Sequence, residues 1–232
     1  MTTNKLNIIK GILFIGLSIF LAFNFANSLN NLVARLPLGW VTSSIILRLF
    51  ICLAFARGLV LILKEIKPTF KAIYGYLIGI VLGFGVSFIT PIYNTDYAEI
   101  NATPLTLDFE TLLLQTNHSI QLNEKPAIVV FFSTSCPHCY ATSKLLGTMA
   151  NAQKGPQIIA LFPGTKEDTE RFLKNNKGQN FKSIIIQDKS YFSDVTQGSV
   201  PSIFLIDKEG HTVKHWSGEL SYPTLDYILN YK

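Results

Sequence analysis

Two cysteines three positions apart, Cys136 and Cys139, are the residues of this chain best suited to chemistry. A Cys-x-x-Cys pair serves as a redox couple, as half of a zinc site or as a haem attachment. Haem attachment needs a histidine directly after the second cysteine, where this chain has Tyr140. A structural zinc site of the usual kind needs four nitrogen or sulfur ligands, and the chain's third cysteine, Cys52, stands alone in an apolar stretch. The redox couple remains. A helical pattern begins directly after Cys136, so unpaired N–H groups and the positive end of the helix dipole point at its sulfur and favour the thiolate that attacks disulfides. Pro137 takes a first-turn position where its missing N–H would have had no partner. Cys139 follows one turn on, within reach to resolve a mixed disulfide formed by Cys136. His138 lies between the two; as a donor or a cation it stabilises the thiolate, hence the reduced form, and makes the couple more oxidising.

The surrounding elements must hold this motif at the end of a strand and the start of a helix. Residues 127–133 begin with a continuous apolar run of the kind buried mid-sheet, and the helical pattern after the cysteines lasts to about Ala152. Strands are expected at 157–162, 183–187 and 202–207, with a helix over 166–175. Lys208-Glu209-Gly210 then turns the chain into a strand at 211–216, and 222–231 forms a closing helix. The order is a βαβ unit followed by ββα, a small α/β sheet with helices on both faces.

With these elements in place, Phe131-Phe132-Ser133-Thr134-Ser135-Cys136-Pro137-His138-Cys139 resembles the active-site segment of the thioredoxin superfamily, and its Cys-Pro-His-Cys core is similar to that of DsbA-type oxidases. Ser199-Val200-Pro201-Ser202, just before an apolar strand, resembles the superfamily's cis-proline loop, which implies that Val200 and Pro201 lie against the cysteines and shape a client-binding edge. Phe204-Leu205-Ile206-Asp207-Lys208-Glu209-Gly210 is similar to the hairpin of the membrane-anchored TlpA-like branch, and Gly218 falls where the superfamily has a glycine after its last strand. The resemblance spans roughly residues 105–232 and implies a thioredoxin-like fold, a central mixed sheet flanked by helices. One departure stands out: Val130 lies six residues before Cys136, where such proteins hold a buried acid. Acid-assisted deprotonation of Cys139 is therefore not expected.

The rest of the chain has a different composition. Hydrophobic residues make up 48% of the sequence and charged ones 15%, against about 25% charged in ordinary soluble domains, and the apolar excess lies in residues 8–90. This part is read as an all-α membrane region, residues 1–91, with about three transmembrane helices at 11–29, 41–63 and 72–90. A linker follows at 92–105, and the thioredoxin-like domain occupies 106–232. Lys5 and Lys10 precede the first span, and Lys64, Lys67 and Lys71 crowd the turn between the second and third. By the positive-inside rule these segments are cytoplasmic, which delivers the C-terminal domain to the periplasmic or extracellular side of a bacterial-type inner membrane. A cleaved signal peptide ending near Ala26-Asn27-Ser28 is a competing reading that keeps the same orientation. Gly75, Gly79 and Gly83 form a stripe that suits either packing within the chain or oligomerisation or docking of a partner protein. Arg48 and Arg57 lie within the second span, where charges imply a role or a route to the surface.

The formal net charge of +5 carries no interleaved basic and aromatic run, so nucleic acid is not an expected partner. The expected activity is a protein-disulfide oxidoreductase, with the direction of electron flow open. Its partners are protein substrates with thiols or disulfides, the lipid bilayer and a separate membrane redox partner, since Cys52 alone relays no disulfide. No cofactor and no metal are expected. Two other readings stand beside this one: a copper carrier using Cys136, Cys139 and His211 or His215, and a non-catalytic membrane adaptor.

Overall fold

The computed structural model describes residues 3–24, 30–69, 71–89, 105–116, 122, 125–152 and 155–231. The chain divides into two compact units, Met1–Ile92 and Tyr93–Lys232.

The first unit is helical: α1 (Thr3–Phe23), α2 (Asn30–Arg35), α3 (Trp40–Ile66) and α4 (Ala72–Ile89). α3 packs against both α1 and α4, and glycines set how closely. A Cβ on Gly11 would fall 2.8 Å from the Gly58 carbonyl oxygen, and one on Gly79 only 2.2 Å from the Ala56 Cβ. At Gly79 the glycine stripe is thus spent on packing within the chain, while the side-chain position of Gly83 lies outside the described residues. Arg57 is exposed and its Nη1 donates to the Tyr76 hydroxyl at 3.3 Å, joining α3 to α4. Arg48 and Cys52 are buried on α3.

By length and composition, two of the described helices suit a membrane crossing, Lys5–Phe23 and Trp40–Ile66. The third expected crossing falls on α4, Ala72–Ile89, whose side chains are described only as far as Leu82, so the count of three reaches beyond the described residues. The helix that carries the first span begins ahead of it, at Thr3. Lys5 and Lys10 continue the helix, whereas Asn24 closes it by donating its side-chain amide to the Phe20 carbonyl at 3.0 Å. The end of that span, the cleavage-like Ala26-Asn27-Ser28 and most of the linker lie outside the described residues.

The second unit is built on a five-stranded mixed sheet. Its elements are α5 (Phe109–Thr116), β1 (Ala127–Phe131), α6 (Pro137–Asn151), β2 (Gln157–Phe162), α7 (Lys166–Asn175), β3 (Lys182–Ile185), α8 (Lys189–Thr196), β4 (Ser202–Ile206), β5 (Thr212–Ser217) and α9 (Tyr222–Asn230). Strand order is β3-β2-β1-β4-β5, with β1 parallel to β2, β2 parallel to β3, and β4 antiparallel to both β1 and β5. β1 is central and every one of its residues is buried, which is why it reads as an unbroken apolar run rather than an alternation. On one face Val129, Phe131, Leu161 and Phe204 pack with Leu112 of α5 and Phe192 of α8. On the other, Phe132 and Phe162 meet Phe172 of α7, which in turn touches Tyr140 of α6.

Three helices were not expected from the sequence: α2, α5 and α8. Two of them carry capping signals. Asp108 Oδ1 accepts from the backbone N–H groups of Glu110 and Thr111, and Asp188 Oδ1 accepts from those of Ser190 and Tyr191. The strands also stop short of the expected ends, β1 at Phe131 and β4 at Ile206, because the chain must turn there into the cysteine loop and the hairpin.

His215 on β5 stacks on Phe204, with ring centroids 4.6 Å apart, and its Nε2 shares a hydrogen bond with the Ser202 hydroxyl at 2.9 Å. Burial pushes its pKa down to about 4, so the folded ring is neutral where the unfolded one, with an ordinary value near 6.5, takes a proton. The unfolded chain then binds more protons between roughly pH 4 and 6.5, and stability present above that window is lost as pH falls through it, by an amount on the order of 2 kcal/mol. Denaturant unfolding followed by Trp216 fluorescence in a Trp40→Phe background should show this loss, and His215→Gln should blunt it. Equal pH slopes in the two proteins would refute the assignment.

Candidate active site

Cys136 is the N-cap of α6, with extended backbone angles (φ −90°, ψ 120°) and Pro137 in the first turn. Its carbonyl accepts from the Tyr140 N–H at 3.2 Å, the first bond of the helix. The strand-to-helix turn is tightened by the Cys136 N–H, which donates to the Ser133 carbonyl at 3.3 Å, and by the Tyr140 hydroxyl, which donates to the Thr134 carbonyl at 2.8 Å. The backbone thus presents the sulfur of Cys136 at the positive end of a fifteen-residue helix.

The two sulfurs differ in access. Cys136 is half-buried, whereas Cys139 has 0% exposure beneath it. Burial raises the Cys139 thiol pKa far above its ordinary value; the Ser133 N–H, donating to the sulfur at 3.5 Å, opposes that shift, and the neighbouring Cys136 adds to it. Val130 is fully buried and paired with Ala160 and Ile203, so its position supplies no carboxylate.

The distant segment arrives at the same place. The Val200–Pro201 peptide is cis, and Cys136 Sγ lies 3.6 Å from the Val200 carbonyl oxygen, its hydrogen-bond acceptor. The Pro201 carbonyl accepts from the Gly218 N–H at 2.8 Å, and Gly218 has a positive φ of 95° that favours glycine. The structure therefore brings Cys136, Pro137, Cys139, Val200 and Pro201 together at one end of the sheet.

His138 belongs to the cluster but points elsewhere: its Nδ1 pairs with Glu219 Oε1 at 2.8 Å. Sequence reasoning missed Glu219, 81 positions away, although the adjacent Gly218 marked the turn. The other two histidines of interest do not join the cysteines. His211 pairs with Asp207 at 3.3 Å and His215 with Ser202, and among the described residues no three His, Cys, Asp or Glu side chains are grouped to hold a metal ion. Beside the cysteine loop, a groove of about 290 Å³ opens between Thr134, Tyr140, Phe172 and Arg171.

A helix-capping Cys-x-x-Cys set against a cis-proline loop, on a mixed sheet with helices on both faces, is the architecture of a thioredoxin-like protein. Residues 115–232 match the family model described as a thioredoxin-like domain, and the chain belongs to that family. Among solved structures, a thiol-disulfide isomerase from Corynebacterium glutamicum is 19% identical, covering 50% of this chain and 91% of its own, with a TM-score of 0.42. A putative thioredoxin from Neisseria meningitidis is 25% identical over 45% of this chain and 72% of its own, with a TM-score of 0.40. StoA from Bacillus subtilis is 18% identical over 45% and 81%, with a TM-score of 0.37. No curated protein sequence matches the chain.

Proposed function

We propose that this chain is a membrane-anchored thiol-disulfide oxidoreductase acting on protein thiols or disulfides outside the cytoplasm, with Cys136 as nucleophile and Cys139 as resolving thiol. The observation that carries this reading is the asymmetry of the pair: an accessible sulfur at a helix N-terminus over a fully buried one a turn further on. In the reducing direction the Cys136 thiolate attacks a client disulfide, forming a Cys136–client bond and releasing one client thiolate. Cys139 then loses its proton and attacks Cys136 Sγ, closing the internal disulfide and releasing the second client thiolate. The client gains two electrons and the pair loses two; the oxidising direction is the reverse. Val200 and Pro201 form the edge against which the client backbone lies, and His138 tunes the pair.

The anchor in this reading is residues 1–91, with α1, α3 and α4 as three crossings. The basic residues Lys5, Lys10, Lys64, Lys67 and Lys71 stay in the cytoplasm and the thioredoxin-like domain, 106–232, faces outward. A separate membrane redox partner resets the pair, because Cys52 is a single thiol. Cysteine labelling from outside intact cells tests the topology: Cys136 modified only after the membrane is breached would reverse it.

The activity is tested by equilibrating the detergent-solubilised full chain with glutathione buffers, with and without Cu(I). A reversible two-electron couple is the expected result. Its absence, or tight stoichiometric copper binding instead, would overturn the reading in favour of an adaptor or a carrier. The buried thiol gives a second check. Because burial holds Cys139 protonated at neutral pH and no acid replaces Val130, release of a Cys136 mixed disulfide should speed up about tenfold per pH unit between roughly pH 7 and 9. Quenched-flow trapping with a model thiol measures this. A rate independent of pH would remove Cys139 deprotonation from the mechanism.

A further inference from the structure

The contact between His138 and Glu219 ties together the three segments that surround Cys136. His138 is in the first turn of α6, and Glu219 follows Gly218 in the turn after β5, which is itself bonded to the carbonyl of Pro201. The two side chains are 67% and 38% exposed, so the pair adds little to stability. Its consequence lies in direction and charge. Nδ1 of the imidazole faces the carboxylate, and the Cys136 thiol is hydrogen-bonded to the Val200 carbonyl instead of to the ring. The carboxylate also sets a negative charge beside the helix N-terminus that holds the accessible sulfur of the reduced pair. Positive charge near that sulfur favours the reduced form and makes a couple more oxidising; a carboxylate works against it.

We propose that Glu219 is a positioning residue for the redox pair: it holds the His138 imidazole off the Cys136 sulfur, sets a carboxylate beside the helix N-terminus, and so lowers the reduction potential of the couple. This rests on the reading of Cys136 and Cys139 as that couple. The pair is then a weaker oxidant than its Cys-Pro-His-Cys motif alone implies. The equilibrium that reports it is balanced as protein disulfide plus two glutathione thiols giving the Cys136 and Cys139 thiols and glutathione disulfide. The protein gains the two electrons that the glutathione thiols lose.

The test measures this equilibrium at fixed pH in the detergent-solubilised full chain, for the wild type, Glu219→Gln, Glu219→Ala, Glu219→Asp, His138→Ala and the double variant His138→Ala/Glu219→Gln. Both Glu219→Gln and Glu219→Ala should favour the reduced thiols by about fivefold, the size of one charge acting across a partly solvated gap; at 29.6 mV per tenfold this is a rise of about 20 mV. Glu219→Asp should return most of the wild-type value, and in the His138→Ala background the Glu219→Gln shift should fall below about half. Unmoved potentials in both Gln and Ala variants would overturn the proposal. So would an undiminished shift without His138, which would make Glu219 a bare charge rather than a positioning residue. A wild type with no couple at all sinks the proposed function and this inference with it, an outcome distinct from a couple that Glu219 fails to move.

Discussion

Serine in place of Cys136 should abolish disulfide exchange by the full chain, and serine in place of Cys139 should leave a protein that stalls as a mixed disulfide with its client. The two outcomes differ because the two sulfurs sit differently. Cys136 is half-buried at the helix N-terminus and makes the first attack; a hydroxyl there is hardly ionised at neutral pH, so exchange should fall on the order of a thousandfold or more. Cys139 has no exposed surface, so it meets a disulfide only after Cys136 has formed one above it. Its loss spares the first step and blocks the second. Neither change should unfold the domain: Cys136 is partly solvated, and a hydroxyl at 139 still accepts from the Ser133 N–H. Non-reducing gels of the variants with a disulfide-containing client give the readout. Full turnover by Cys136→Ser would refute the assignment of the nucleophile, and equal inactivity without a trapped adduct in Cys139→Ser would refute that of the resolving thiol.

The second large effect is on stability. Phe131→Ala should cost about 3 to 5 kcal/mol, a large part of the roughly 5 to 15 kcal/mol that holds a domain together. Phe131 is the last residue of β1, fully buried, and its ring meets Phe192 of α8 at 5.6 Å and Phe204 of β4 at 5.8 Å in edge-on contacts. Truncation leaves a cavity among side chains held by three different elements, which cannot all move in to fill it. Because β1 leads directly into the cysteine loop, exchange activity should also fall. Denaturant unfolding of the full chain measures the change, and a loss below about 1 kcal/mol would mean that this face of the sheet is not the core described above.

Legibility tracked sequence distance. β2 and α7 fall on the expected residues, and α6 and α9 within one residue of their expected ends, because periodicity, capping and the positions of proline and glycine act within a few residues. α5 and α8 went unread although Asp108 and Asp188 cap them, since each is only eight residues long and offers too few turns for an apolar period to show. α1 begins at Thr3, ahead of the apolar run expected from residue 11, because a helix accommodates Lys5 and Lys10 easily near its start. The glycine stripe on α4 had two uses open to it, and at Gly79 the approach of Ala56 takes packing within the chain.

The sequence by itself determined the chemistry on offer: two thiols a turn apart, a proline and a histidine between them, a buried strand leading in, and valine where an acid would stand. Tertiary structure decided how those groups are used. It sealed Cys139 and left Cys136 open, set the Val200 carbonyl against the reactive sulfur, and turned His138 toward Glu219. Chain spacing encodes which side chains share a helix turn, but burial and partners across 64 or 81 positions depend on how β1, β4 and β5 stack side by side, and only folding brings those strands together.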